Sequence, residues 1–324
     1  MSRTVEINAT GGPEVMQLVE RDVPAPGPGM VTVENRAIGL NYIDTYHRSG
    51  LYPLPLPSGL GLEAAGLVTA AGEGASLQVG DRVAYCAANI GAYSESLNLP
   101  AERLVSIPEG VDFDTAAAVL LKGGTVEYLL RRLYTLQAGQ TTLFHAAAGG
   151  VGLLFGQWAA ALGVEVIGTV SSEAKRELAM ANGYSHCFLS SDDELVEKVR
   201  EITHGAMLPV VYDGVGAATF YQSLDCLAPR GLMVSFGNAS GSPPAFDLQQ
   251  LSARGSLFIT RPSLMAYVAS VEEMRACAAA VFERVLDGTL QVQINQRYPL
   301  VEVQRAHAEL EARRTVGSSL LIPG

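Results

Sequence analysis

The sequence has little that would suit it to structural zinc or to disulfide bonds. Its cysteines are scattered without C-x-x-C spacing, so neither a zinc knuckle nor a disulfide framework is predicted. These cysteines are Cys86, Cys187, Cys226 and Cys277. We expect them to be free, buried thiols.

Long apolar runs and basic charge are also scarce. No apolar stretch reaches membrane-spanning length, and Met1–Val5 lacks the charged-then-apolar order of a signal peptide. The 22 Lys and Arg against 33 Asp and Glu give a net charge of −11, which argues against a nucleic-acid surface or attachment to anionic membrane. We therefore expect a cytoplasmic protein, in which any site for an anionic ligand is locally basic.

What the sequence does contain is a glycine-rich turn between a short apolar strand and an Ala-rich helical segment. Residues 141–145 read as the strand and 153–162 as the helix, with Gly149, Gly150 and Gly152 in the turn. Positions without side chains let the backbone approach a pyrophosphate closely, and the amides that open a helix point at the anion. The pattern is typical of a dinucleotide site.

A simpler interpretation of this turn has to be weighed. Ala147 stands where G-x-G-x-x-G has its first glycine, so the turn could merely pack a helix onto a strand. A second β-rich run at 164–170 completes a strand, helix and strand within the length of a βαβ unit. This context favours the dinucleotide site.

The end of the second strand indicates which dinucleotide binds. An NAD-specific site usually has an acid there for the ribose 2′-hydroxyl, but this chain has Ser171 and Ser172, followed by Lys175. Hydroxyls and a cation suit a 2′-phosphate, so NADPH is predicted over NADH. We interpret Glu173 as a helix-start residue, and Lys175 could instead belong to a solvated helix face.

The remaining pattern predicts an α/β fold with two domains. Strand-like runs alternate with helices from residue 139 to 260, which predicts a doubly wound parallel Rossmann sheet. The predicted strands are 143–145, 164–170, 186–189, 209–212, 232–236 and 257–260. Short β runs with Gly and Pro over residues 1–122, including a strand pair within 90–106, predict an irregular β-barrel.

The C-terminal part follows a different pattern. A long helix at 271–286 is followed by a strand, a helix and a last strand at 318–322. These elements do not continue the βα repeat of the Rossmann sheet. We expect 263–324 to return to the first domain. The predicted domains are therefore 1–122 with 263–324, which binds substrate, and 123–262, which binds NADPH.

Two kinds of segment are candidate sites. Ligands of doubly wound sheets bind outside the carboxyl ends of the strands, where the turns 211–216 and 236–238 fall. Asp213 in the first turn could equally be a turn-forming Asx residue. The segment 41–53 mixes rings, amides and charges, as site loops do, although Tyr46 and Tyr52 could be packing residues.

Several segments together resemble the zinc-independent quinone oxidoreductases, the zeta-crystallin-like group of the medium-chain dehydrogenase/reductase superfamily. The segments are 41–53, 61–66, 146–152, 236–238 and 315–319. The resemblance implies a GroES-like barrel beside the Rossmann domain, and a homodimer. It also implies that no metal binds, because Leu62 and Asn41 occupy the positions of a metal-binding histidine and the catalytic cysteine in zinc-dependent relatives.

The resemblance further implies the roles of individual residues. Asn41, Tyr46 and Tyr52 would be catalytic and line the cleft beside the nicotinamide, with water or Tyr46 as the proton source. Ser190 stands where the family commonly has an aromatic residue or His, and two acids follow it, which would weaken the phosphate pocket. The cofactor contacts would be Tyr46, Thr125, Gly149, Gly150, Val151, Gly152, Ser171, Lys175, Ser190, Gly216, Phe236, Gly237, Asn238, Thr260, Arg261 and Arg313.

The implied reaction is NADPH:quinone oxidoreduction. A quinone is electrophilic enough to be reduced without a Lewis acid, so the protein has to supply orientation and shielding. Two alternatives stay open. One is reduction of activated alkenes such as enones or enoyl thioesters, and the other is a crystallin-like or RNA-binding protein that keeps the NADPH site, although the acidic net charge argues against RNA.

Overall fold

The computed structural model describes residues 1–86 and 90–324. In chain order the strands are β1 (Ser2–Ile7), β2 (Met16–Arg21), β3 (Met30–Leu40), β4 (Ser58–Gly59), β5 (Glu63–Ala71), β6 (Arg82–Cys86), β7 (Ser96–Pro100), β8 (Val105–Ser106), β9 (Thr141–His145), β10 (Glu165–Val170), β11 (His186–Leu189), β12 (Leu208–Asp213), β13 (Leu227–Ser235), β14 (Phe258–Thr260), β15 (Ile294–Pro299) and β16 (Ser318–Ile322). The α-helices are α1 (Tyr42–Ser49), α2 (Phe113–Tyr128), α3 (Gly150–Ala161), α4 (Glu173–Met180), α5 (Leu195–Ile202), α6 (Phe220–Asp225), α7 (Gln249–Ala253), α8 (Leu264–Tyr267), α9 (Val271–Leu286) and α10 (Val303–Glu311).

The chain divides into two units. One comprises Met1–Gly124, Val268–Gly288 and Val292–Gly324, and the other Thr125–Tyr267 with Thr289–Gln291. The boundary therefore falls inside α2. Across the described residues, no helix is both long and apolar enough to cross a bilayer.

The first unit is built on β-sheets. Its described strands form a seven-stranded sheet, with the order β15-β16-β3-β5-β6-β8 and β7 paired to β3, and a three-stranded sheet, β2-β1-β4. β16 pairs antiparallel with β3, so the C-terminal part of the chain lies in this unit. Apolar side chains such as Val33, Ile38 and Leu321 are fully buried in its core.

The strand pair predicted within residues 90–106 is wrong in its pairing. Strands β7 and β8 do form there, but β7 pairs with β3 and β8 pairs with β6. Neighbouring apolar runs indicate that two strands exist, whereas the partner of each is set by packing with distant segments.

The second unit is an α/β fold with a doubly wound sheet. Its six strands pair in parallel in the order β11-β10-β9-β12-β13-β14. The order reverses between β9 and β12, which is the position where such sheets bind ligands. The strands are apolar because helices cover both faces, and Leu143, Ile167 and Val211 have no exposed surface. The predicted Rossmann sheet is confirmed.

The start of α3 differs from the prediction, whereas the state of the cysteines agrees with it. The helix after the glycine turn begins at Gly150 rather than Leu153, because Gly149 is its N-cap and the glycines form its first turn. The four cysteines are buried and free, as predicted.

Candidate nucleotide site and catalytic segment

The glycine turn connects β9 to α3 with close backbone packing. Ala146 turns the chain in the left-handed region at φ 59°, and Gly149 caps α3 in an extended conformation. A Cβ on Gly152 would lie 2.5 Å from the carbonyl oxygens of both Ala146 and Ala147. Gly152 is therefore required for packing the helix against the turn, which is the role of the last glycine in dinucleotide-binding turns.

The first turn of α3 presents amides that the helix itself cannot satisfy. The amide of Leu153 bonds the carbonyl of Gly149 at 2.9 Å, whereas Gly150, Val151 and Gly152 come too early to have an intrahelical acceptor. No side chain of the described residues caps this end. These N–H groups and the positive end of the helix dipole can hold a pyrophosphate.

The ends of β10 and β11 bring the predicted phosphate residues to one edge of the sheet. The Ser190 amide donates to the carbonyl of Val170 at 2.7 Å, so the exposed Ser171 and Ser190 follow adjacent strand ends. Ser172 caps α4 and accepts from the amide of Lys175 at 3.4 Å. Lys175, on the first turn of α4, is half-buried.

Two acidic residues near this edge are engaged by cations. Glu173 is the first residue of α4, as predicted, and pairs with Arg176 at 2.7 Å. Asp192 pairs with Lys198, and this bond holds the pKa of the Asp192 carboxyl below its usual range. Of the two acids that follow Ser190, Asp192 therefore has its charge paired with Lys198.

The turns after β12 and β13 pack directly on each other. The amide of Phe236 donates to the carbonyl of Asp213 at 2.8 Å, and a Cβ on Gly237 would lie 2.3 Å from the carbonyl oxygen of Gly214. Gly216 has φ 91°, and its amide donates to the Asp213 carboxylate at 2.9 Å. Asp213 is thus the turn-forming Asx residue of the simpler interpretation.

Arg261 joins the second of these turns. Its Nη1 donates to the carbonyls of Ser235 and Gly237, each at 2.9 Å, and its Nη2 donates to the side-chain oxygen of Asn238 at 3.0 Å. Thr260 ends β14 beside Val234 of β13. The structure therefore brings the segments 236–238 and 260–261 together, while Thr125, in α2, opens the second unit.

The catalytic candidates cluster around α1 in the first unit. Asn41 precedes α1 and is 4% exposed, and its Nδ2 donates to Glu63 Oε2 at 2.8 Å. Glu63, which is fully buried, also accepts from the Leu121 amide at 2.7 Å and pairs with Lys122 at 3.4 Å. The Asn41 amide is therefore fixed from inside the unit.

Tyr46 and Tyr52 pack edge to face. Their ring centroids are 5.2 Å apart, and the Tyr52 amide donates to the carbonyl of Tyr46 at 3.0 Å. Tyr46 is 8% exposed and also packs on Tyr42, while Tyr52 is half-buried. Asn41, Tyr46, Tyr52 and Arg313, which follows α10, all belong to the first unit.

The sequence analysis missed a buried polar chain that starts on α1. Asp44 is fully buried, and its Oδ2 accepts from the main-chain amide of Asn41 at 2.9 Å and from the Tyr93 hydroxyl at 2.8 Å. Its Oδ1 has no partner among the residues described. Burial raises the pKa of Asp44 to about 7. The N-x-x-D spacing of a capping box, Asn41 to Asp44, is the one signal that could have drawn attention to it.

The chain continues from Tyr93 to α10 with a fixed direction. Arg48 has only donors, so it donates to His307 Nδ1 at 3.3 Å, and His307 Nε2 must then donate to the Tyr93 oxygen at 3.0 Å. Arg48 also forms two bonds to Glu311, at 2.7 and 2.9 Å. Burial lowers the pKa of His307 to about 3, so the ring is neutral.

Comparison with known proteins covers the whole chain. Family models for the alcohol dehydrogenase GroES-like domain and for zinc-binding dehydrogenase match residues 27–109 and 150–280, and the first confirms the predicted GroES-like fold. A quinone oxidoreductase of Pseudomonas aeruginosa is 53% identical over 100% of both chains, and a 2-haloacrylate reductase of a Burkholderia species is 42% identical over 98% of both. The crystal structure of Escherichia coli quinone oxidoreductase complexed with NADPH matches 100% of both chains with a TM-score of 0.97 and 48% identity.

Proposed function

This chain belongs to the quinone oxidoreductases of the medium-chain dehydrogenase/reductase superfamily, and from that membership we propose that it transfers reducing equivalents from NADPH to a quinone without a metal. The observation that carries the proposal is the sequence identity of 48–53%, over the whole length of both chains, to quinone oxidoreductases. Leu62 and Asn41, at positions where zinc-dependent relatives have a ligand and the catalytic cysteine, support the metal-free reaction.

The second unit has the residues that NADPH requires. The amides of Gly150, Val151 and Gly152 would hold the pyrophosphate, because the helix leaves them without an intrahelical acceptor. Ser171 and Lys175 would hold the 2′-phosphate, with Ser190 at the adjacent strand end. When bound, the nicotinamide supplies a hydride.

We assign the nicotinamide end of the cofactor to the turns after β12, β13 and β14. Arg261 bonds the carbonyls of the 235–237 segment, so it holds the shape of the turn and leaves main-chain groups to contact the ring. The residues with this role are Gly216, Phe236, Gly237, Asn238, Thr260 and Arg261, and Thr125 and Arg313 also contact the cofactor. Residues 1–122 with 263–324 form the substrate domain in this proposal, and 123–262 the cofactor domain.

The substrate side of the site is assigned to the α1 region. Tyr46 and Tyr52 orient the quinone by ring contact and shield it from water. Asn41, the N-cap residue of α1, lines the site, and its side-chain nitrogen is held by Glu63. The proton that completes hydroquinone formation comes from water or from the Tyr46 hydroxyl.

We also propose that the protein is a cytoplasmic homodimer that binds neither nucleic acid nor membrane. The net charge of −11 argues against binding to nucleic acid and to membrane, because phosphate backbones and anionic lipids attract basic surfaces. Sedimentation equilibrium at several concentrations tests the dimer, and a mobility-shift assay at physiological salt tests RNA binding.

The test of the reaction compares substrates after chelation. Purified, chelator-treated protein is given NADPH or NADH with 1,4-benzoquinone, 9,10-phenanthrenequinone, or a simple enone. Turnover of quinones with NADPH is the expected result. Turnover of the enone alone would favour alkene reduction, which the similarity to a 2-haloacrylate reductase makes the second candidate. Loss of activity on chelation would contradict the metal-free reaction.

The preference for NADPH has its own test. A charge-assisted contact from Lys175 to the 2′-phosphate contributes about 1.5–3 kcal/mol, so Lys175→Ala should raise the KM for NADPH roughly ten- to a hundredfold. The KM for NADH should not change, since NADH lacks the phosphate. Equal KM values for NADPH in the variant and the parent protein would remove this role from Lys175.

A further inference from the structure

The second unit contains a buried polar network that the assigned cofactor contacts do not use. We propose that Asp213, Ser223, His145 and Thr169 act together as positioning residues, which hold the strand ends of the cofactor site in register for NADPH. The inference rests on the proposed NADPH site.

Asp213 is the anchor of this network. It is fully buried, and its Oδ1 accepts from the amides of Val215 and Gly216 at 2.8 and 2.9 Å. Its Oδ2 accepts from the hydroxyls of Thr219 and Ser223 at 2.7 and 2.8 Å. All of these donors are neutral. Burying a carboxylate whose hydrogen-bond donors are all neutral costs free energy. In this protein the Asp213 carboxylate closes the turn that leads to Gly216.

The hydrogen bonds beyond Asp213 have one consistent direction. Ser223 has a single proton and gives it to the carboxylate, so its oxygen accepts from His145 Nε2 at 3.0 Å. The other ring nitrogen, Nδ1, then accepts from the Thr169 hydroxyl at 2.8 Å. His145 is therefore held as one neutral tautomer, and its burial, which lowers the pKa of the ring, agrees with this assignment.

A serine, a histidine and an aspartate in contact also suggest a hydrolytic triad, but the geometry excludes it. In a triad the histidine accepts the serine proton and the aspartate holds the far side of the ring. Here Ser223 gives its proton to Asp213 and lies between the other two side chains. Ser223 is also fully buried, so no substrate can reach it.

The network spans adjacent strands at the edge where the cofactor residues lie. His145 ends β9 just before the glycine turn, and Thr169 lies one residue from the end of β10, just before Ser171. The Thr169 carbonyl accepts from the Ala147 amide at 2.9 Å, so it also holds the glycine turn by the main chain. Asp213 ends β12, and its carbonyl holds the Phe236 amide beyond β13.

The strands β10, β9, β12 and β13 are consecutive in the sheet. The side chains link the ends of β10, β9 and β12, and the Asp213 carbonyl adds the turn after β13. Small shifts of positioned groups cause large losses in binding and catalysis. Loosening the network should therefore weaken NADPH binding more than it slows the chemical step at saturating NADPH.

The experiment compares two isosteric substitutions of buried threonines. Thr169→Val removes the donor to His145. Thr142→Val removes a bond of the same length, 2.8 Å to the carbonyl of Val210, from the same sheet but at the amino end of β9, away from the carboxyl ends of the strands. Both residues are almost fully buried. Dissociation constants for NADPH are measured by the change in its fluorescence, and melting temperatures are measured for each variant.

We expect Thr169→Val, and likewise Ser223→Ala, to raise the Kd for NADPH about tenfold, while kcat at saturating NADPH stays within about twofold. Thr142→Val should lower the melting temperature comparably and leave the Kd within about twofold. An unchanged Kd in Thr169→Val, or an equal increase in Thr142→Val, would overturn the inference. Because the readout is NADPH affinity, failure of the parent protein to reduce quinones would contradict the proposed substrate alone.

Discussion

Each unit of the protein contains a fully buried aspartate, and the two carboxyl groups differ in their hydrogen-bond donors. Asp213 accepts hydrogen bonds on both oxygens from main-chain amides and hydroxyls. Asp44 accepts two bonds on Oδ2, and within the described part of the chain its Oδ1 has none. Complete burial alone therefore does not set the role of a carboxyl group. Asp213 uses both oxygens to shape a turn, whereas Asp44 has one oxygen without a donor in residues 1–86 and 90–324, and burial raises its pKa to about 7.

Removing the acceptor tests the first half of this comparison. Asp213→Ala leaves the amides of Val215 and Gly216 and the hydroxyls of Thr219 and Ser223 buried without their acceptor, which should cost roughly 3–5 kcal/mol of unfolding free energy. Urea unfolding at pH 7 measures the loss. Asp213→Asn keeps one oxygen for the two amides and should lose less. A cost below about 1 kcal/mol for Asp213→Ala would mean that the turn is stable without its anchor.

Asp44→Asn tests the second half. Because the folded-state pKa of Asp44 is about 7 against an ordinary value of 3.8, its destabilising charge is absent below about pH 4 and complete above about pH 7. The asparagine variant has no such charge. It should match the parent protein near pH 4 and be more stable by about 2–4 kcal/mol above pH 7.

His307 makes the pH profile of that variant informative. The pKa of His307 is about 3 against 6.5, so its contribution has the opposite sign: stability is complete above pH 6.5 and falls as the pH is lowered. The two effects oppose each other between pH 4 and 6.5 in the parent protein. Asp44→Asn should therefore expose a loss of stability on acidification, and a flat profile in the variant would contradict the neutral His307.

The smallest effect sharpens the role of the hydroxyl between these groups. Tyr93→Phe removes a bond that favours the charged form of Asp44, and should cost about 1 kcal/mol and move the pH dependence of stability to higher pH. Tyr85→Phe is the matched control, because it removes another buried hydroxyl, bonded to Asn35 at 3.1 Å. The control should cost a similar amount without moving the profile. A shift in both variants would show that it does not arise at Asp44.

The elements with strong local patterns could be predicted from sequence. Val271–Leu286 and Ser318–Ile322 have the predicted bounds, since a helical run with a capping serine and a short apolar strand are readable in isolation. The parallel strands were recognised because they are buried on both faces and hence uniformly apolar. The start of α3 was misplaced because a glycine cap has no side chain to mark it.

The polar networks could not be predicted, and the reason is physical. Asp44, Tyr93 and His307 are joined by hydrogen bonds between residues far apart in the chain, and a single polar residue leaves no periodic signal. The same holds for His145 and Ser223 in the other unit. The resemblance supplied the candidate ligand contacts, whereas these buried hydrogen-bonded residues became visible only in the fold.

The order in which strands occur along the chain also bears on synthesis. The six strands β9–β14 of the second unit all lie between residues 141 and 260, whereas the large sheet of the first unit needs β15 and β16, at 294–299 and 318–322, to complete an edge that begins with β3. The N-terminal part of a chain leaves the ribosome first, and domains fold as units. The Rossmann sheet can therefore form before β15 and β16 of the barrel have been synthesised. During that interval residues 38–40 of β3, which later pair with β16, form an unpaired strand edge, and such edges promote aggregation.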